Sequence, residues 1–118
     1  MMDKKYGQFS EFWPDYVRAH QHSLTRRLHF GGTTNLIFWL LLALFKRSPK
    51  LFVWAIMSSY SLAWIGHFFV EGNKPLTFKY PIKSAFGDLL MYFKIWRGEM
   101  DDEVKFYCRS QQVMKELP

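Results

Sequence analysis

Two charge-free runs dominate the chain. Residues 31–45 (GGTTNLIFWLLLALF) and 51–70 (LFVWAIMSSYSLAWIGHFFV) hold no Asp, Glu, Lys or Arg. A helix needs about 20 apolar residues to cross the hydrocarbon core of a bilayer. The second run has that length. The first reaches it by recruiting His29 and Phe30, or by spanning a thinner region. The pattern predicts helices over 24–45 and 51–70, joined by the basic turn Lys46-Arg47-Ser48-Pro49-Lys50, where Pro49 favours a break. Gly31 and Gly32 would interrupt a soluble helix, but in a membrane they let a second helix come close.

The flanks carry a different period. Phe9, Phe12, Trp13, Tyr16 and Val17 recur at helical spacing opposite Glu11, Asp15 and Arg18, which predicts an amphipathic helix over 10–22. Ser10 is a candidate cap for it, with Pro14 near its first turn, and Ser23 and Thr25 are candidate caps for the next helix. After a polar loop with Pro75 and Pro81, residues 85–96 (AFGDLLMYFKIW) predict a short interfacial helix, and 97–118 form a polar tail. The expected architecture is all-α: a single membrane domain over 1–118, an integral membrane helical hairpin flanked by amphipathic interfacial helices. Two buried helices of a soluble bundle fit less well, because so short a chain leaves too little polar sequence to cover both runs.

Charge refines this picture. The net charge is +6, yet no nucleic-acid motif accompanies it. Anionic lipid headgroups are therefore the expected partner, and nucleic acid is not. The opening residues, MMDKKYGQFSEFW, lack the apolar core of a signal peptide, so insertion is expected from the internal runs. A hairpin puts both ends on one membrane face. Arg26, Arg27, Lys74, Lys79 and Lys83 on that face outnumber Lys46, Arg47 and Lys50 at the turn. The expected active side is cytoplasmic, in a bacterial inner membrane or an ER-type membrane. A single cysteine, Cys108, excludes an internal disulfide and any metal site built from cysteines.

The candidate chemistry lies at the ends of the apolar runs. His20, His22 and His29 precede the first. His67 closes the second, and Glu71 follows it by one helical turn, on the same face. Neutral imidazole is a common metal ligand, and histidines with a carboxylate are the donor set of non-haem Fe(II) oxygenases. The hairpin sets His29 and His67 at one depth. His20 and His29, nine residues apart, would sit on opposite faces of a continuous helix, about 900° of rotation apart. They converge only through a bend, for which HQHSLT is the natural place. His22 shares a face with His29 without any bend, so spacing alone leaves His20 and His22 open. Glu71 could be a ligand or the salt-bridge partner of Lys74. Asp88 is a weaker candidate ligand. Arg26, Arg27 and Lys74 could contact headgroups or hold the carboxylate of an acidic lipid.

At these residues the chain resembles the small membrane proteins related to the yeast 2-hydroxy fatty acid dioxygenase, which metabolise phytosphingosine to odd-numbered fatty acids. YVRAHQHSLTRRLHFGG resembles that family's first motif, and His20 and His29 match its nine-residue spacing. AWIGHFFVEGNKPLTFKYPIKSAFGD resembles the second, through Gly66, His67, Glu71, Asn73 and Pro75. His22, Ser23 and Thr25 depart from the family's usual Asn-Pro and Asn. The resemblance covers about residues 12–96. It implies Fe(II)-dependent oxidation, by O₂, of a 2-hydroxy fatty acid to the acid one carbon shorter. It also implies His20, His29 and His67 as catalytic iron ligands, with Glu71 as a fourth ligand or a group bonded to one. Substrate contacts would come from Arg26, Arg27, Asn73 and Lys74. The alternatives are a haem-binding electron carrier with His29 and His67 as axial ligands, or a non-catalytic membrane protein on the same scaffold.

Overall fold

The computed structural model describes the backbone of residues 7–116 and the side chains of residues 7–109. The opening residues read for a signal peptide, 1–6, and the last two of the polar tail lie outside the described residues. No strand occurs among the described residues. The described residues form five α-helices, in order α1 (Phe9–Arg18), α2 (Ser23–Lys46), α3 (Pro49–Ile65), α4 (Pro81–Trp96) and α5 (Met100–Glu116). A π-helical segment, Gly66–Glu71, continues α3, and a 3-10 turn, Leu76–Phe78, precedes α4. Contacts divide the chain into two compact units. One is His22–Pro75, and the other joins the chain up to Gln21 with the chain from Leu76 onward.

The His22–Pro75 unit is the hairpin. Ser23–Lys46, with 24 residues, and Pro49–Glu71, with 23, are both long and apolar enough to cross a membrane. Most of their apolar side chains point outward, with Leu44, Phe45 and Phe69 among the most exposed. Arg47 adopts a left-handed conformation (φ 51°) at the turn. Ser48 Oγ accepts from the Leu51 N–H at 3.2 Å, and Pro49 takes the first helical position. That cap starts α3 two residues before the expected boundary, since Pro is tolerated where the N–H has no helical acceptor. The helices approach closely at Gly32, where a Cβ would come within 3.0 Å of the Ser59 carbonyl oxygen. Midway along, Asn35 Nδ2 donates to Ser58 Oγ (2.7 Å) and Ser59 Oγ (3.0 Å), and Trp39 Nε1 donates to Asn35 Oδ1 (3.0 Å). Polar side chains bonded to each other in this way hold helices together where water does not compete.

In the other unit, the apolar face of α1 forms the core: Phe12, Trp13, Tyr16 and Val17 are buried with Met91 of α4 and Met100 of α5. Gln8, not Ser10, stands at the N-terminus of α1, and Pro14 lies inside the helix beyond its first turn. Helix α4 begins at Pro81, four residues earlier than expected, for the same reason that α3 begins at Pro49. Its outer side carries Ile82, Phe86, Leu89, Phe93 and Trp96, all exposed. The tail from Met100 is helical as far as Glu116.

Candidate metal centre

The continuous helix that would oppose His20 and His29 does not form. Helix α1 ends at Arg18, four non-helical residues follow, and α2 begins at Ser23. His20 lies in that break, inside the stretch where a bend was expected.

Within the hairpin, His29 of α2 and His67 of the π-helical segment meet with ring centroids 5.0 Å apart and planes nearly perpendicular (86°). Three local features set this geometry. At Gly66 the backbone passes so close to Thr25 that a Cβ would lie 2.9 Å from Thr25 Cγ2, and Thr25 Oγ1 donates to the Gly66 carbonyl at 3.4 Å. The π-helical segment widens the helix just where His67 leaves it, a distortion often found at functional sites. Gly72 then ends the segment in the left-handed region (φ 74°), which glycine adopts without steric cost. The His67 carbonyl accepts the N–H groups of both Gly72 and Asn73.

His20, His29 and His67 are all buried. Each directs Nδ1 at an oxygen: His20 at the Tyr16 carbonyl (2.6 Å), His29 at the Thr25 carbonyl (3.2 Å) and His67 at Asn73 Oδ1 (2.7 Å). A carbonyl oxygen can only accept, so Nδ1 carries the proton and the neutral ring has its lone pair on Nε2. This is how proteins fix the tautomer and orientation of a metal-binding imidazole. His29 and His67 present two such lone pairs within the hairpin unit, and His20 presents one in the other unit; neutral imidazole donors suit a divalent first-row metal.

The remaining candidates are engaged as follows. His22 is exposed. Glu71 Oε2 accepts the His22 backbone N–H at 2.6 Å. A carboxylate distant in sequence thus serves the start of α2, where Ser23 and Thr25 were the expected caps; His22 stands at the N-cap position and makes no side-chain cap bond. Arg26 is buried, whereas Arg27 and Lys74 are exposed. Asn73 holds His67. Asp88 accepts the hydroxyl proton of Tyr16. Burial pushes the Asp88 carboxyl up to about 6, and burial together with the Asp88 charge raises the Tyr16 phenol well above its usual range.

In the sequence Tyr16 is legible only as an apolar-face residue. Its spacing offered a signal, since it precedes His20 by four residues. The ring of Tyr16 stacks on that of His20 with centroids 4.1 Å apart, while its carbonyl takes the Nδ1 proton. Gly87 makes room for it, because a Cβ there would lie 2.9 Å from two Tyr16 ring carbons.

No curated protein and no solved structure matches the chain. A family model does, over residues 6–100: Mpo1-like, described as 2-hydroxy-palmitic acid dioxygenase Mpo1-like. The chain belongs to this family.

Proposed function

We propose that this chain is a membrane-embedded, iron-dependent dioxygenase that converts a 2-hydroxy fatty acid to the acid one carbon shorter, with His20, His29 and His67 holding Fe(II). The observation that carries this reading is the shared arrangement of the three buried imidazoles, each with Nδ1 tied to an oxygen acceptor and its lone pair on Nε2. Membership of the Mpo1-like family supports the reaction class and the substrate. When bound, the iron supplies the redox chemistry with O₂ and a chelating position for the adjacent hydroxyl and carboxylate oxygens of a 2-hydroxy acid.

The chain's own residues do the rest. Asn73 and the Tyr16 and Thr25 carbonyls keep the imidazoles in one tautomer. Arg26, buried one helical turn before His29, binds the substrate carboxylate. Arg27 and Lys74, both exposed, face the anionic headgroups of the cytoplasmic leaflet. The acyl tail lies along the apolar outer surface of the hairpin, in the lipid. Glu71 acts through the helix start that it anchors and not as a ligand.

The haem-carrier reading loses support from the same geometry. Ring centroids 5.0 Å apart leave too little room for a porphyrin between His29 and His67.

Elemental analysis of anaerobically purified protein, paired with O₂ uptake on 2-hydroxy acids, tests the proposal. Iron should be present and uptake should depend on the 2-hydroxyl group. His20→Ala, His29→Ala and His67→Ala should each lose both. Iron-free protein, with activity untouched by these substitutions, would overturn the reading.

A further inference from the structure

The core of the α1–α4–α5 unit contains a line of stacked oxidisable rings that begins at His20. The Tyr16 ring lies on His20 with centroids 4.1 Å apart and an interplanar angle of 24°. Trp13 lies on Tyr16 with centroids 5.4 Å apart and planes within 13° of parallel. Both rings are buried. Each also donates its one polar hydrogen to a carboxylate carried by a different helix. The Tyr16 hydroxyl donates to Asp88 of α4, and Trp13 Nε1 donates to Glu103 of α5 at 2.7 Å. Buried Tyr and Trp need hydrogen-bond partners, but a neutral carbonyl or hydroxyl would serve. Two carboxylates in succession, one of them buried enough to raise its proton affinity, cost more than packing requires. What a carboxylate offers beyond a carbonyl is a place for a proton.

We propose that Tyr16 and Trp13 form an electron relay that carries oxidising equivalents out of the metal centre when O₂ or a peroxide oxidises it in the absence of substrate. The proposal rests on the assignment of His20 as a ligand. In the first step one electron passes from Tyr16 to the oxidised metal, which is thereby reduced. The phenol O–H bond breaks and its proton moves to the Asp88 carboxylate. In the second, Trp13 gives an electron to the tyrosyl radical, which takes its proton back from Asp88 while the indole N–H proton moves to Glu103. An external thiol then supplies an electron to the Trp13 radical and releases its own proton to solvent, the indole takes its proton back from Glu103, and two thiyl radicals from two such turnovers couple as a disulfide. Glu103 also lies 3.8 Å from Lys94 Nζ and is only half-buried, so the relay ends toward solvent.

The test uses full-length, iron-loaded protein in detergent, treated with hydrogen peroxide without substrate or thiol. Freeze-quenched samples should show an organic radical by electron paramagnetic resonance, and peptide mass spectrometry should find oxygen added to Trp13. In Tyr16→Phe, which keeps the stacked ring, Trp13 oxidation should fall several-fold and oxidation of His20 should rise. In Trp13→Phe the radical should remain tyrosyl. If Tyr16→Phe does not fold, as judged by its helical circular dichroism, the Trp13→Phe signal decides alone. Iron-loaded protein whose damage pattern ignores both substitutions overturns the relay while leaving the proposed function standing. Protein that binds no iron overturns both.

Discussion

His67 Nδ1 lies 2.7 Å from Asn73 Oδ1, six residues further along the chain and beyond the end of the π-helical segment. That bond joins the ring to the same short loop whose N–H groups close on the His67 carbonyl. Asn73→Ala should therefore free the ring to change tautomer. Loss of a group bonded to a metal ligand typically costs 10–100-fold in metal affinity. Competition with a chromophoric chelator should show a loss of about that size, and unchanged affinity would remove Asn73 from the site.

Glu71 admits a sharper choice. As the acceptor for the His22 N–H it should tolerate Glu71→Gln, whose side-chain oxygen can still accept, and should lose about 1 kcal/mol of stability in Glu71→Ala. Both variants should keep their iron. An iron-depleted Glu71→Gln protein of normal stability would make Glu71 a ligand after all.

Asp88 predicts a pH dependence. Its carboxyl is pushed from an ordinary 3.8 up to about 6 by burial. Between those values the folded chain holds a proton that the unfolded chain has released, so stability falls as pH rises across the window. At about 1.4 kcal/mol per pKa unit the full loss approaches 3 kcal/mol, less whatever solvent screening removes. Melting temperatures of the native chain and Asp88→Asn, compared from about pH 4 to pH 7, should diverge, with the native chain losing ground at the upper end. Parallel curves would show that Asp88 does not titrate in this range.

Gly87→Ala should destabilise the α1–α4–α5 unit. The added methyl would meet the Tyr16 ring at 2.9 Å, and that ring is held on its other sides by His20, Trp13 and Asp88. Overpacking of this kind costs about 1–3 kcal/mol. Chemical denaturation followed by tryptophan fluorescence would register it. A neutral result would mean that the ring can move and is not clamped.

The hairpin and the break after α1 were legible because they depend on local pattern: charge-free length, Pro49, and side chains that compete with the helix around HQHSLT. The meeting of His29 and His67 followed from hairpin geometry. What local pattern could not disclose was long-range. Glu71 serves a helix start 49 residues away, so Ser23 and Thr25 looked like the caps. Tyr16 read as one more apolar-face residue, because its partner Asp88 is 72 residues away. The early starts at Pro49 and Pro81 were hidden because proline reads as a breaker until the helix that it begins is known.

The Asn35 cluster has a consequence beyond holding two helices together. Asn35 grips two adjacent serines, so one residue of axial slip, about 1.5 Å, would break at least one of its bonds. The cluster acts as a registration pin. It lies six residues from His29 and eight or nine from His67, and it sets the axial alignment of both imidazoles from the middle of the hairpin. A residue far from both rings can in this way decide whether the two imidazoles arrive at the same height.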